Sequence, residues 1–122
     1  MDSVYELYRR GCDLLSHGDY QAAIVPLSRA RELEPDKASI REALGRALFH
    51  AQRYEDAAAE FGALAARAPT DDYALFCLGR AMQQLGRHRE ACHPLALACS
   101  LRPERGDYRL YRDRARRAAH SS

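Results

Sequence analysis

The sequence predicts an all-α fold built from three consecutive helical hairpins and one further helix. The first observation is a period of 34 residues, which aligns Val4–Lys37, Ala38–Asp71 and Asp72–Arg105 without a gap. The second is that several kinds of residue recur at this period, and the third is that a short loop divides each repeat in two. An irregular helical bundle would not repeat at one period in several positions at once, so we reject it.

The repeated positions are those that a packed helical hairpin needs. Each repeat has a glycine, an alanine and two apolar residues at fixed places: Gly11, Gly45 and Gly79; Ala23, Ala57 and Ala91; Leu14, Leu48 and Met82; Leu27, Phe61 and Leu95. The glycine and the alanine let two antiparallel helices approach closely, and the apolar residues fill the seam between them. Between the helices lie SHGDY, HAQRY and QLGRH, which are short enough to force an antiparallel turn. Pro35, Pro69 and Pro103 then end the second helices.

Two features depart from a simple apolar hairpin. Arg41 occupies the position of Leu7 and Leu75 in the other repeats, which predicts a locally more polar seam. Pro26 and Pro94 share one repeat position inside second helices, and we expect them to bend those helices on an outer face.

After the third repeat, Gly106 to Ala119 is predicted as a seventh helix. One face carries Tyr108, Tyr111, Ala115 and Ala118, and the other carries Arg109, Arg112, Arg116 and Arg117. This is the pattern of a capping helix, because the last repeat would otherwise expose an apolar face to water. Residues 1–119 are expected to form a single domain, and residues 120–122 a frayed tail.

The pattern of Leu14, Gly18, Tyr20 and Ala23 resembles the tetratricopeptide repeat, as do the recurring glycines, apolar residues and terminal prolines. The resemblance covers residues 4–105, as repeats 4–37, 38–71 and 72–105. It implies a right-handed superhelix, or solenoid, of three helix-turn-helix units followed by the capping helix 106–119. It also implies a non-catalytic scaffold for protein–protein interaction, in which the first helices of the repeats line a concave groove.

The resemblance assigns individual residues to this groove. Those that we expect to bind a peptide are Tyr5, Tyr8, Arg9, Cys12, Glu42, Arg46, Phe49, His50, Tyr73, Phe76, Cys77, Arg80, Gln84 and Arg114, with Gln83, Leu110 and Tyr111 beside them. Arg46, Arg80 and Arg114 are 34 residues apart, which predicts a ladder down the groove. Arginines and aromatic rings anchor peptides by carboxylate pairing, stacking and buried area, so we expect an extended or helical segment with acidic and apolar residues. The alternative, that the arginines are solvated surface and some of the aromatics pack between repeats, stays open.

A chaperone-binding function is not expected. Chaperone-binding members of the family hold a C-terminal carboxylate with lysine, asparagine and arginine at defined positions. The residues at those positions here are Tyr8, Cys12, Ala43, Tyr73 and Cys77, and none of them matches.

Charge and composition limit the other partners. Residues 1–104 carry 13 basic and 15 acidic side chains, and residues 105–122 carry six basic and two acidic ones, so only the C-terminal segment is basic. That segment could contact nucleic acid, but the same charges suit a capping helix, and we do not favour a nucleic-acid partner. Self-association through Tyr5 and Tyr8 at the N-terminal end is the main alternative to peptide binding.

The sequence contains no motif for catalysis, for a cofactor or for a metal. It has no Gly-rich phosphate loop, no His-Glu-x-x-His and no nucleophile elbow, so we expect neither an enzyme nor a cofactor. Cys92 and Cys99 are about 10 Å apart along one helix, too far to share a small ion, and Cys99 is expected to be a core thiol. No apolar run reaches the roughly 18 residues of a membrane span, and no signal peptide is recognised, so the expected compartment is the cytoplasm.

Overall fold

The computed structural model describes residues 2–121, and over this range the chain forms seven α-helices and no β-strand. The helices are α1 Val4–Ser16, α2 Tyr20–Leu33, α3 Ala38–His50, α4 Tyr54–Arg67, α5 Asp72–Gln84, α6 His88–Leu101 and α7 Gly106–Ser121. The predicted all-α class with a seventh helix is therefore confirmed. None of the helices within these residues is both long and apolar enough to cross a lipid bilayer.

The chain divides into two compact units, an N-terminal unit that ends at Glu60 and a C-terminal unit that begins at Phe61. The N-terminal unit contains α1, α2, α3 and the first half of α4, and the C-terminal unit contains the rest. The single domain over residues 1–119 stays a prediction. At the C-terminal end, α7 continues beyond the predicted end through His120 to Ser121, and Ser122 lies outside the described residues.

Side-chain hydrogen bonds fix the starts of two helices. The Ser3 hydroxyl oxygen accepts the Glu6 backbone N–H at 3.1 Å, and the same hydroxyl donates to the Glu6 carboxylate at 3.1 Å. Before α5, the Asp71 carboxylate accepts the Ala74 backbone N–H at 3.0 Å. Each bond satisfies an N–H that has no partner inside its helix, so α1 and α5 begin where the sequence supplies a capping side chain.

The turn inside each hairpin has one repeated backbone geometry. Its central residue has a positive φ: Gly18 (80°), Gln52 (65°) and Gly86 (77°). The N–H of the next residue donates to a carbonyl oxygen five residues back, in the preceding helix; these bonds, of 2.8 to 2.9 Å, join Asp19 to Leu14, Arg53 to Leu48 and Arg87 to Met82. Glycine adopts this left-handed conformation without strain, whereas the Cβ of Gln52 is crowded there.

The close approach of paired helices that the glycines predict is found in both units. A Cβ atom added to Gly11 would lie 2.4 Å from Leu27 Cγ, and one added to Gly79 would lie 2.5 Å from Leu95 Cγ. Both leucines are fully buried. Because real Cβ atoms do not approach so closely, only glycine allows α1 to pack on α2, and α5 on α6, at these points.

A buried ion cluster joins three helices of the N-terminal unit. The Glu60 side chain of α4 is only 5% exposed, and it accepts hydrogen bonds from Arg31 Nη1 of α2 at 2.5 Å and from Arg41 Nη1 of α3 at 3.0 Å. Arg41 Nε also donates to the Pro35 carbonyl oxygen at 2.8 Å. The more polar seam predicted from Arg41 is present, and both oxygens of the buried carboxylate are satisfied.

Glu60 occupies the same repeat position as Pro26 and Pro94. Both prolines are buried, so the prediction that they lie on an outer face is wrong. The proline ring is apolar and has no N–H to satisfy, so it fills the interior at this position in α2 and α6. In α4 the same position holds a carboxylate, which two arginines neutralise.

In the C-terminal unit, α7 packs on α5 and α6 through the face predicted to be apolar. Tyr108 and Ala115 on this face are fully buried. The Tyr108 ring stacks on Phe76 with centroids 4.6 Å apart, and its hydroxyl donates to the Asp72 carboxylate at 2.7 Å. Burial, and after it this hydrogen bond, raises the pKa of Tyr108 above its ordinary value.

The opposite face of α7 carries charge where an internal helix carries apolar side chains. Arg109 and Arg117 are exposed, and they occupy the repeat positions of Leu7 and Leu15, which are buried in α1. This is the substitution expected of a capping helix.

The first helix, α1, also has charged residues at repeat positions that are apolar in an internal helix, but on a different face from α7. Glu6 and Asp13 are exposed on α1, and they occupy the repeat positions of Ile40 and Ala47, which are buried in α3. That face of α1 is therefore charged, and the aromatic residue that α1 exposes is Tyr5.

Candidate protein-binding surface

In the N-terminal unit, α1 carries four of the predicted groove residues. Tyr5 is 68% exposed and Arg9 is exposed, whereas Tyr8 and Cys12 are half-buried. Tyr8 packs against the buried core of this unit. The pKa of Tyr8 is raised above its ordinary value, mainly by a hydrogen bond with the Cys12 thiol and to a lesser extent by partial burial. Tyr8 thus contributes to packing, and Tyr5 is the ring that α1 presents to solvent.

Helix α3 contributes four more predicted residues: Glu42, Arg46, Phe49 and His50. Phe49 is half-buried, and the other three are exposed. Phe49 meets the Tyr54 ring edge-to-face with centroids 5.2 Å apart, and His50 stacks on Tyr20 at 4.7 Å. Phe49 and His50 therefore belong to an aromatic cluster near the hairpin turns, and their role in a groove stays a prediction.

In the C-terminal unit, α5 contributes five predicted residues: Tyr73, Phe76, Cys77, Arg80 and Gln84. Of these, Gln84 is exposed and the others are half-buried. Tyr73 meets Phe61 edge-to-face at 6.4 Å. Phe76 contacts two rings of α7, stacking on Tyr108 and meeting Tyr111 edge-to-face with centroids 5.6 Å apart. The rings of α5 and α7 thus form one aromatic cluster.

Two of the three arginines of the predicted ladder meet on one ring. Arg80 Cζ lies 3.9 Å from the centroid of the Tyr111 ring, and Arg114 Cζ lies 5.1 Å from it. Both distances are within the range of cation–π attraction. Arg80 is half-buried and Arg114 is exposed. Arg46 is exposed on α3 in the N-terminal unit, and its part in a ladder stays a prediction.

The contacts that hold this arrangement were not foreseen. Gln83 Nε2 donates to the backbone carbonyl oxygen of Tyr111 at 2.9 Å, and Arg80 Nη1 donates to Gln83 Oε1 at 3.4 Å. Sequence reasoning placed Gln83 and Tyr111 beside the groove but did not identify Tyr111 as a platform for arginines. The equivalent positions in the N-terminal unit are Cys12 and Ala43, which offer neither ring nor cation, so the period gives no signal of this contact.

The cysteines are thiols that contribute to packing. No disulfide joins them, and all four lie within the described residues. Cys99 is buried in a cluster with Leu75 and Tyr108, as predicted for a core thiol, and Cys92 Sγ donates to the His88 carbonyl oxygen at 3.3 Å. Between residues 2 and 121, no group of three His, Cys, Asp or Glu side chains is placed to hold a metal ion.

Solved structures of other proteins share this fold. A structure of MamA AMB-1 matches with a TM-score of 0.84 and 25% identity over 93% of this chain, which spans 62% of the length of that structure. MamA MSR-1 matches with a TM-score of 0.90 and 24% identity, over 98% of this chain and 69% of its own. The first tetratricopeptide domain of Spaghetti (RPAP3), bound to the HSP90 peptide SRMEEVD, gives a TM-score of 0.88 at 17% identity, over 96% and 93% of the two chains.

Sequence comparison identifies the family directly. No curated protein matches the sequence. A family profile described as Tetratricopeptide repeat matches residues 8–73, which is more than half of the chain. This match and the shared fold confirm the resemblance seen in the repeated glycines, alanines and prolines. The chain therefore belongs to the tetratricopeptide repeat family.

Proposed function

We propose that this protein is a non-catalytic scaffold that holds a segment of a partner protein on the surface of its leading helices, α1, α3, α5 and α7. Membership of the tetratricopeptide repeat family supports a role in protein–protein interaction. The RPAP3 domain, a neighbour in fold, is a tetratricopeptide domain bound to a peptide. The segment is extended or helical and carries acidic and apolar residues.

The observation that carries the proposal is the aromatic and arginine surface of α5 and α7. Phe76 and Tyr111 are half-buried, so each ring is fixed by packing while part of it is accessible. Arg80 and Arg114 lie on the Tyr111 ring. Rigid rings and arginines are the side chains that contribute most to protein interfaces, because they bury much area and lose little freedom on binding.

The partner that we propose is not a chaperone tail. The peptide SRMEEVD belongs to the complex of the RPAP3 domain, and the positions at which chaperone-binding members hold a terminal carboxylate are filled here by uncharged residues. Two of them, Tyr8 and Cys12, are half-buried. We place the protein in the cytoplasm, where four cysteine thiols stay reduced.

Affinity capture from the native lysate tests the scaffold. The wild type is compared with the double variant Arg46→Ala/Arg80→Ala and with a control, Arg29→Ala/Arg89→Ala, which removes two exposed arginines from α2 and α6. We expect the control to retain the partner and the groove variant to lose it, with circular dichroism showing equal helicity. Capture of the same partner by all three proteins would contradict the proposal.

Self-association is the second candidate, because the Tyr5 side chain is 68% exposed on the first helix. Aromatic side chains such as tyrosine are enriched in the buried cores of protein interfaces. Light scattering over a concentration series distinguishes the two candidates. A mass that rises with concentration, and does not rise in Tyr5→Ser, would favour self-association over peptide binding.

A further inference from the structure

The Tyr111 ring and its two arginines have the features of a preformed anion site. The guanidinium of Arg80 lies close against the ring, and that of Arg114 lies farther out on the exposed side chain. A guanidinium beside an aromatic ring keeps its N–H groups in one plane, from which they can donate to an oxyanion as a fork. A carboxylate placed between the two guanidinium groups would interact favourably with both charges.

The platform under these cations is held by contacts on several sides. The Tyr111 ring meets Phe76 edge-to-face, and Phe76 stacks on the fully buried Tyr108. The Tyr111 backbone is held by Gln83, which donates to its carbonyl oxygen at 2.9 Å. A ligand that binds here would therefore order few side chains that are not already ordered, which favours affinity.

Two other arginines of α7 are already engaged by groups of this protein. Arg112, the residue after Tyr111, is paired with the Asp113 carboxylate at 3.1 Å. Arg109 donates to the carbonyl oxygen of Pro103. By contrast, the contact that Arg114 makes within the described residues is with a ring, which leaves the charge of its guanidinium for an anion.

We infer that Arg80, Tyr111 and Arg114 form a subsite for one carboxylate of the bound peptide. This inference rests on the proposed function and specifies where the acidic residue of the segment lies. Carboxylate matches the fork of a guanidinium, and the adjacent rings of Phe76 and Tyr111 receive an apolar neighbour of the acidic residue. A nucleic-acid strand would need a row of cations, and the site offers two.

Selection from random heptapeptide libraries tests the subsite and does not require the partner to be identified first. One library is displayed with a free C-terminus and the other with its C-terminus fused to the carrier. We expect the full-length wild type to enrich peptides that contain Asp or Glu together with an apolar residue. If a side-chain carboxylate is bound, both libraries show this enrichment; if the terminal carboxylate is bound, only the first library yields peptides, and they need no acidic side chain.

Variants then assign the carboxylate to the subsite. Arg114→Gln, Arg80→Gln and Tyr111→Leu should each weaken binding of a selected peptide about tenfold, since a charge-assisted hydrogen bond is lost or misplaced. Arg117→Gln, on the exposed face of the same helix, should leave it unchanged. Arg114→Lys should recover only part of the loss, because lysine keeps the charge without the fork.

Each remaining outcome decides against the subsite. Peptides enriched without any preference for a carboxylate would overturn the subsite and leave the scaffold intact. A preference that persists in both Arg80→Gln and Arg114→Gln would place the carboxylate elsewhere. Failure to enrich any peptide would overturn the subsite together with the proposed function, and circular dichroism of each variant excludes loss of the fold as the cause.

Discussion

The two units use the same repeat positions but fill them with different side chains. In the N-terminal unit, Tyr8 packs in a core that contains Ile40. At the corresponding positions of the C-terminal unit, Phe76 stacks on Tyr108. The 34-residue period thus determines where the backbone brings leading helices together, and the individual residues determine what surface results. A binding surface can therefore differ strongly between units whose complete hairpins, α1–α2 and α5–α6, have helices of the same lengths.

The interiors differ in the same way. Arg41 and Glu60 form a buried ion pair in the N-terminal unit, whereas Leu75 and Pro94 are buried at the same repeat positions of the C-terminal unit. Both solutions fill the interior. They differ in the loss of stability when one of the two residues is substituted. A buried charge is destabilising without its partner, whereas a buried apolar side chain does not depend on a particular partner.

The largest effect is expected from Glu60→Gln. Arg31 and Arg41 bind different oxygens of the carboxylate, and the amide replaces one of these oxygens with an NH2 donor. Two partly buried guanidinium groups also lose their counterion, and we expect a loss of about 3 kcal/mol in the free energy of unfolding. Urea denaturation measures this change. The exposed pair of Glu32 with Arg29 provides the control, and Glu32→Gln should cost less than about 0.5 kcal/mol.

The comparison also suggests a rescue. The double variant Arg41→Leu/Glu60→Pro gives the second repeat the residues of the first and third. Arg31 remains, but its side chain is 36% exposed and can be hydrated, so the variant should recover most of the stability lost in Glu60→Gln. If this double variant is less stable than Glu60→Gln, the two solutions are not interchangeable.

Next in size is the effect of Gly11→Ala and Gly79→Ala. Each new Cβ would collide with the Cγ of a fully buried leucine, and we expect each variant to lose about 2 kcal/mol through overpacking. Because the contact is the same in both units, the two losses should be similar. Gly62→Ala is the control, because a Cβ added there would lie 3.9 Å from the nearest side-chain atom, Leu78 Cδ1. The free energy of unfolding should rise by about 0.5–1 kcal/mol, since alanine favours the helix more than glycine does. Equal behaviour of all three glycines in thermal unfolding would contradict this account.

Tyr108→Phe tests a hydrogen bond that the N-terminal unit lacks, since its equivalent residue is Ile40. Loss of the bond to Asp72 should cost about 1 kcal/mol at pH 8. The pKa of Tyr108 is raised in the folded state, so its contribution is complete below the unfolded value near 10 and falls as the pH rises above it. The difference in stability between the wild type and Tyr108→Phe should therefore shrink between pH 8 and pH 11 in urea denaturation. A difference that grows over this range would show that the pKa is lowered instead.

The smallest effect is expected at the turns. Gln52 has a positive φ where the first and third repeats have glycine, so Gln52→Gly should raise the free energy of unfolding by about 0.5–1 kcal/mol. The reverse change, Gly86→Gln, should lower it by a similar amount. Chemical denaturation of both variants makes the comparison, and a loss of stability in Gln52→Gly would mean that the Gln52 side chain itself stabilises the turn.

The sequence predicted what repeats and missed what occurs once. The positions of the hairpin turns, the close contact at Gly11 and Gly79, and the apolar face of α7 all follow from residues that recur or from spacing along a helix. Glu60 was missed because its repeat position holds proline elsewhere, and a single carboxylate in an amphipathic helix looks exposed. The role of Tyr111 as a platform for arginines was missed because Arg80, which lies on its ring, is 31 residues earlier in the sequence. The 34-residue period does not predict this contact.

For the predicted groove too, spacing predicted the positions of the residues but not their contacts. Tyr8, Phe49 and Phe76 are aromatic residues on leading helices, and sequence spacing located them correctly on those helices. Spacing could not tell that Tyr8 packs in a core and that Phe49 joins the ring of Tyr54, since both outcomes depend on neighbours from other helices. The choice between packing and recognition is made by tertiary contacts, which a one-dimensional pattern does not contain.

The ion cluster has a consequence for the order in which the repeats assemble. Hairpins of similar sequence can dock on the wrong neighbour while the chain folds. Glu60 is the one buried carboxylate in the described residues; Arg41 belongs to the same hairpin, whereas Arg31 belongs to the hairpin before it. Docking of the third hairpin in place of the first would bring Cys99 to Glu60 instead of Arg31, and one oxygen of the buried carboxylate would lose its ion pair. We therefore expect the ion cluster to stabilise only the correct arrangement of the first two repeats.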